Sequence, residues 1–152
     1  MANVHKSITV DVPVSAAYNQ WTQFESFPQF MHGVKEVRQE GDRRLHWKAQ
    51  VAGKTEEWDA EITEQVPDRK IAWHSTSGAP NAGEVTFQPI SNGSTEVNLK
   101  LEAEPETLTE KIGDAMGVLD RQVKGDLERF KEFMEKRGGQ PTGAWRGEIR
   151  NS

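Results

Sequence analysis

Side chains able to do acid–base, nucleophilic or metal chemistry are few in this chain of 152 residues, and their spacing narrows the options further. There is no Cys, which removes disulfides, thiolate ligands and cysteine nucleophiles together. The four His residues, His5, His32, His46 and His74, stand far apart without the spacing of a metal site. Strand parity turns His46 and His74 towards solvent. Glu57, Asp59 and Glu61 alternate along one strand face, a pattern that could pair carboxylates for general acid–base work, but that face is polar and a solvated charged row is expected. No glycine-rich phosphate loop, nucleophile elbow or dinucleotide fingerprint occurs. The expectation is therefore no catalytic residue, no metal and no cofactor. What the chain has in quantity is aromatic surface, with five Trp and six Phe, and Trp47, Trp58 and Trp73 fall on one face of three successive strands.

The elements that must position these rings follow from periodicity. Residues Val4 to Val12 alternate as a first strand, with Lys6 breaking the apolar face. Pro13 ends it, and Val14 to Trp21 reads as a short helix with Tyr18 inward. Phe24, Phe27, Phe30 and Met31 around Pro28 suggest a second short helix and its exit turn. From Val34 to Asn98 the period is two, broken by turn signals at Gly41-Asp42, Gly53, Pro67-Asp68, Gly78 to Gly83 and Asn92-Gly93. This is an antiparallel meander with one apolar and one wet face. Leu108, Ile112, Met116, Leu119, Val123, Leu127, Phe130 and Met134 then form a helical stripe running from Thr107 to Arg137. Thr107 with Glu110 makes a capping box, and Gly138-Gly139 supplies the stop. At 1.5 Å per residue such a helix is about 45 Å long, enough to lie across a small domain. The fold expected is α+β: a curved antiparallel sheet of about seven strands gripping one long C-terminal helix, with two short helices after strand one. Residues 1–137 form that domain, and 138–152 a flexible or folded-back tail.

Several stretches carry a resemblance. Trp21 to Met31 (WTQFESFPQFM), Glu57 to Ile62 (EWDAEI), Pro67 to Trp73 (PDRKIAW), Gly125 to Phe133 (GDLERFKEF) and the Gly143 to Gly147 tail (GAWRG) resemble the START-like SRPBCC superfamily. The similarity is to its polyketide cyclase/dehydrase and coenzyme Q-binding type, in a bacterial subgroup. It covers nearly the whole chain and implies a START/Bet v 1-like helix-grip fold with an apolar cavity between sheet and helix. It leaves the activity open, because such a fold hosts lipid carriers, aromatase/cyclases and chaperone activators.

The wall of that cavity is expected to comprise Tyr18, Phe27, Phe30 and Met31 from the short helices. The strands would add Leu45, Trp47, Trp58, Ile62, Trp73, Ser75 and Phe87, and the long helix Ile112, Met116 and Leu119. With so few polar groups and no inward Arg, Lys, Asp or Glu among them, the ligand expected is neutral and largely apolar. Three readings follow: non-catalytic binding or transport of a lipid, quinone or polyketide-like molecule; a polyketide aromatase/cyclase or dehydrase; or a chaperone- or ribosome-associated interaction module. Trp145 either packs back on the domain or offers a surface to a protein partner. A net charge of −5 argues against nucleic acid as a partner. No run is long enough for stable membrane insertion, and the N-terminal residues lack a secretory pattern, so a cytoplasmic location is expected.

Overall fold

The structure, a computed structural model, describes residues 2–51, 54–78, 81–103 and 115–149. Strand β1 (Ala2–Val10) leads into helix α1 (Val14–Trp21), whose first turn closes when the Ala16 and Ala17 amides donate to the Pro13 carbonyl. Pro13 suits this place, since its fixed φ is compatible with a helix start and its missing N–H costs nothing there. A short 3₁₀ helix (Phe24–Gln29) with Pro28 inside follows. The meander then runs through β2 (Val34–Gln39), β3 (Arg44–Val51), β4 (Lys54–Val66), β5 (Lys70–Gly78), β6 (Asn81–Ser91) and β7 (Ser94–Ala103). Together with β1 these make one seven-stranded antiparallel sheet in the order β1-β7-β6-β5-β4-β3-β2.

Local irregularities curl the sheet. Register shifts leave Lys35, Thr63, Thr76 and Ile90 as the extra residues in their ladders. Each bulge bends its strand and adds right-handed twist, and their distribution turns a flat sheet into a grip. At the Pro67-Asp68 turn, Asp68 adopts φ 64°, a left-handed conformation that Asp tolerates better than most side chains.

Helix α2 (Ala115–Lys136) lies in the grip. Its buried residues Val123, Leu127, Phe130 and Met134 continue the stripe expected from sequence. Thr107, Leu108, Glu110 and Ile112, and with them the capping box, lie outside the described residues. At the C-terminus Gly138 and Gly139 take φ 64° and 79°, and the Gly139 amide donates to the Met134 carbonyl. These glycines satisfy end carbonyls that the helix leaves open.

Polar contacts fix α2 at both flanks. Lys6, on the same side of β1 as Val4, reaches Asp120 at 2.9 Å. Lys131 Nζ donates to the Thr9 carbonyl, and the Asp11 amide to Glu135. On the opposite side Gln122 Nε2 donates to the Gln50 carbonyl of β3, and Arg129 Nε to the Phe30 carbonyl. Lys6 therefore interrupts the apolar face of β1 because it faces the helix, where a carboxylate receives it. Among the described residues, no helix is long and apolar enough to cross a membrane.

Candidate functional site

Antiparallel register builds an aromatic wall on the concave side of the sheet. Trp47 of β3 sits directly opposite Trp58 of β4, and their indoles stack almost parallel, 8° apart in plane with centroids separated by 5.8 Å. The next strand sets Gly78 opposite Trp58, and β6 sets Gly83 opposite Trp73. Both glycines are used. A methyl group at Gly83 would overlap the Trp73 ring, and one at Gly78 would crowd the Glu57 carbonyl and Trp58. The indole of Trp73 therefore lies where a side chain from the neighbouring strand would otherwise stand, whereas Gly78 makes room for the β4 backbone at Trp58.

Burial divides the interior into two halves. Around α1, the 3₁₀ helix and the C-terminal part of α2, the core is a continuous set of ring contacts: Tyr18 on Phe87 at 5.5 Å, Trp21 on Phe130 at 5.0 Å, Phe27 on Trp47 at 5.6 Å and Phe30 on Phe130 at 5.3 Å. All of these rings are buried, as are Met31, Leu45 and Ile62. Trp58 and Trp73, on the same concave face, are only partly buried. Ser75 shares that face, and its Oγ accepts the Asn81 amide at 3.0 Å.

Of the residues singled out by sequence, the structure brings Trp47, Trp58, Ile62, Trp73 and Ser75 together on one stretch of sheet. Phe27, Phe30, Met31, Leu45 and Phe87 belong to the filled half. Tyr18 lies there too, with Arg146 over its ring at 5.5 Å, so by its contacts it sits apart from Trp58 and Trp73. Ile112 lies outside the described residues, and Met116 and Leu119 are in the first turns of α2, with their side chains outside the description.

The expectation that no charge points inward needs two corrections. Glu56 pairs across the ladder with Ala49 and stands two residues before Trp58, so a carboxylate shares the face of the wall. Lys6 faces α2 as described above. The outer face matches its reading: His46 Nδ1 lies 2.7 Å from Asp59 and Nε2 2.9 Å from Glu57, while Ser77 Oγ donates to the other Asp59 oxygen at 2.7 Å. Hydrogen bonding to the two carboxylates, Asp59 foremost, pushes the imidazole pKa above its usual value, and the same bond holds Asp59 below the usual carboxylate range.

Sequence reasoning also missed a polar cluster at the α1 end of the sheet. The bulge at Thr63 turns Gln65 inward, where it is 1% exposed, beside Tyr18 at 0%. Neither the Tyr18 hydroxyl nor either amide atom of Gln65 makes a hydrogen bond of regular geometry. An unsatisfied buried polar group costs about 1–3 kcal/mol. Burial drives the Tyr18 phenol pKa above its usual value, with Gln65 and Arg146 opposing the shift, so the hydroxyl is a donor at any ordinary pH. The segment after α2 folds over this end. Ile149 exchanges backbone hydrogen bonds with Gln65, Arg146 pairs with Asp68 at 2.8 Å, the Trp145 amide donates to Thr22 Oγ1, and Thr142 and Gln20 bond reciprocally.

Comparison with known proteins identifies the family. Residues 10–134 match the family described as polyketide cyclase/dehydrase and lipid transport. The chain belongs to that family. An uncharacterized 17.2 kDa protein of Streptomyces lincolnensis is 53% identical over 150 residues, covering 98% of this chain and 99% of its own. Among solved structures, a Deinococcus radiodurans protein superimposes with a TM-score of 0.70 at 27% identity, covering 90% of this chain and 99% of that one. The Zhui aromatase/cyclase from Streptomyces sp. R1128 gives 0.72 at 17% identity, over 90% and 95% of the two chains. A START superfamily protein from Mycobacterium smegmatis gives 0.67 at 14%, over 89% and 95%. The chain thus has the START-like helix-grip fold, and family and fold together indicate a hydrophobic ligand-binding domain.

Proposed function

We propose that this protein is a non-catalytic binder or carrier of a neutral hydrophobic small molecule, of lipid, quinone or polyketide type, held between the concave Trp face and the long helix. The observation that carries the reading is the contrast in burial on one face: Trp58 and Trp73 remain partly exposed, flanked by Gly78 and Gly83, while the rings of the other half are closed off. Partly exposed aromatic surface on the concave side of a sheet is what an apolar ligand needs. Covering about 100 Å² of it contributes on the order of 2.5 kcal/mol at about 25 cal/mol per Å², before the cost of association is subtracted. Lys6 is paired with Asp120, and the rings that make up the face carry no charge, so its chemistry favours a neutral ligand.

Native mass spectrometry of the gently purified protein, followed by organic extraction, tests this directly. A discrete added mass that is lost on denaturation and released into solvent supports the carrier reading and identifies the ligand class. A bare protein mass, with no gain after incubation with quinones, fatty acids and aromatic polyketides, overturns it.

A further inference from the structure

The ladder between β4 and β5 places a hydroxyl between the two partly exposed indoles. Trp58 pairs with Gly78 and Ile62 with Trp73, and the rung between them joins Ala60 to Ser75. Residues directly opposite in an antiparallel ladder share a face, so Ser75 stands on the concave side with the buried Ala60 and Ile62. A bulge puts it there. Thr76 is the extra residue in β5, and it parts two serines that plain alternation would set on one face: Ser77 is outside and donates to Asp59 at 2.7 Å, whereas Ser75 is inside. The hydrogen bonding of Ser75 is half complete. Its Oγ accepts the Asn81 backbone amide at 3.0 Å, which ties the side chain to β6. A serine hydroxyl also has one proton to donate, and among the described residues nothing accepts it. Ser75 is itself partly exposed, as Trp58 and Trp73 are, so a molecule lying over the two indoles can reach it.

We propose that Ser75 determines the specificity of the concave site by donating its hydroxyl proton to a carbonyl oxygen of the ligand, while the ligand's apolar body covers Trp58 and Trp73. The inference rests on the carrier reading above and narrows it, from neutral apolar molecules in general to ketones and quinones. A carbonyl suits the place better than a hydroxyl or a carboxylate. The Asn81 amide already donates to Ser75 Oγ, so the partner still missing is an acceptor. Carbonyl oxygens accept near the plane of their own group, which lets a flat ligand take the bond at its edge with its face against an indole. A carboxylate would accept equally well but would carry an unpaired charge onto the apolar face.

The test is an NMR titration of the full chain with α-tetralone and, separately, tetralin, which share a fused ring and differ in the carbonyl oxygen. Because loss of the oxygen also makes the probe more apolar, the quantity that decides is the ratio of the two Kd values, tetralin over tetralone, compared between wild type and variants. Ser75→Ala is expected to lower that ratio about fivefold, by weakening tetralone and leaving tetralin unchanged, and Ser75→Thr, which keeps the hydroxyl, to preserve it. In the wild type, tetralone but not tetralin should move the Asn81 amide proton downfield, since a hydroxyl that donates becomes a stronger acceptor. That shift decides even if Ser75→Ala fails to fold. An unchanged ratio in Ser75→Ala, or an Asn81 amide that responds alike to both probes, overturns the role of Ser75; if both probes still shift the Trp58 and Trp73 indole signals, the carrier reading survives. If neither probe moves those indole signals, the concave face is not a ligand site and both proposals fall together.

Discussion

Trp73 lies flat across Gly83, its partner on the adjacent strand, so closely that no side chain fits between them. The pair sets both the tilt of the indole and the smoothness of the wall. Gly83→Ala forces the ring or the strand to move, and overpacking of this kind costs about 1–3 kcal/mol. For a chain of this length each kcal/mol lowers Tm by about 2–4 °C. Thermal unfolding followed by tryptophan emission is expected to show that loss, together with an altered emission spectrum in the folded baseline. An unchanged spectrum and Tm would mean that the indole has no fixed place on Gly83.

Trp58 tests the wall itself. Because it is only partly buried, Trp58→Asp is expected to leave the domain folded while placing a charge on the surface a neutral ligand must cover. Affinity for whichever ligand is released by extraction should fall at least tenfold, a loss of about 1.4 kcal/mol or more. A folded variant with wild-type affinity removes Trp58 from the site.

Much of the fold was legible in the sequence because it follows from period alone. The stripe Val123, Leu127, Phe130 and Met134 and the alternation of Leu45, Trp47 and Ala49 both translate directly into burial. The presence of Glu56 on the wall was equally legible, since it precedes Trp58 by two residues in the same strand. Gln65 was not, because the bulge at Thr63 shifts parity and no local residue pattern announces it. Lys6 reads as a flaw in an amphipathic strand until Asp120, 114 positions away, is brought opposite it. The site suffered more than the fold for this reason: periodicity reports which face is buried, whereas the difference between a filled and an unfilled stretch of that face depends on contacts between distant elements, such as Phe27 with Trp47.

His46 makes stability depend on pH in a defined direction. Its folded pKa is raised by Asp59 and Glu57, so its contribution is fully present below its unfolded value of about 6.5 and disappears as pH rises through the folded value. Asp59 is depressed by the same bond, and its contribution, present above about 3.9, disappears as pH falls through its folded value. The cluster therefore stabilises most between those two limits. Urea unfolding of wild type and His46→Gln across this range should show a difference that is largest near pH 5 to 6 and shrinks on the alkaline side. A difference independent of pH would assign the effect to packing rather than to charge.

The segment after α2 is expected to act as an integral strap of the domain. Ile149 is 6% exposed and supplies both backbone partners of Gln65, while Thr142 satisfies the fully buried Gln20 amide. Burying an aliphatic side chain of this size is worth about 1.5–3 kcal/mol, and Ile149→Asp exchanges that for a charge at a buried site. Thr142→Val removes only the hydroxyl that receives Gln20 Nε2 and leaves the backbone bond to Gln20 Oε1 intact, so a smaller loss of about 1 kcal/mol is expected. The order matters more than either value: Ile149→Asp should lower Tm more than Thr142→Val, and removal of residues 140–152 should lower it at least as far as Ile149→Asp. If the truncated chain instead unfolds at the wild-type temperature, the strap contributes nothing to the domain, and Trp145 and its neighbours become available as a surface for a protein partner.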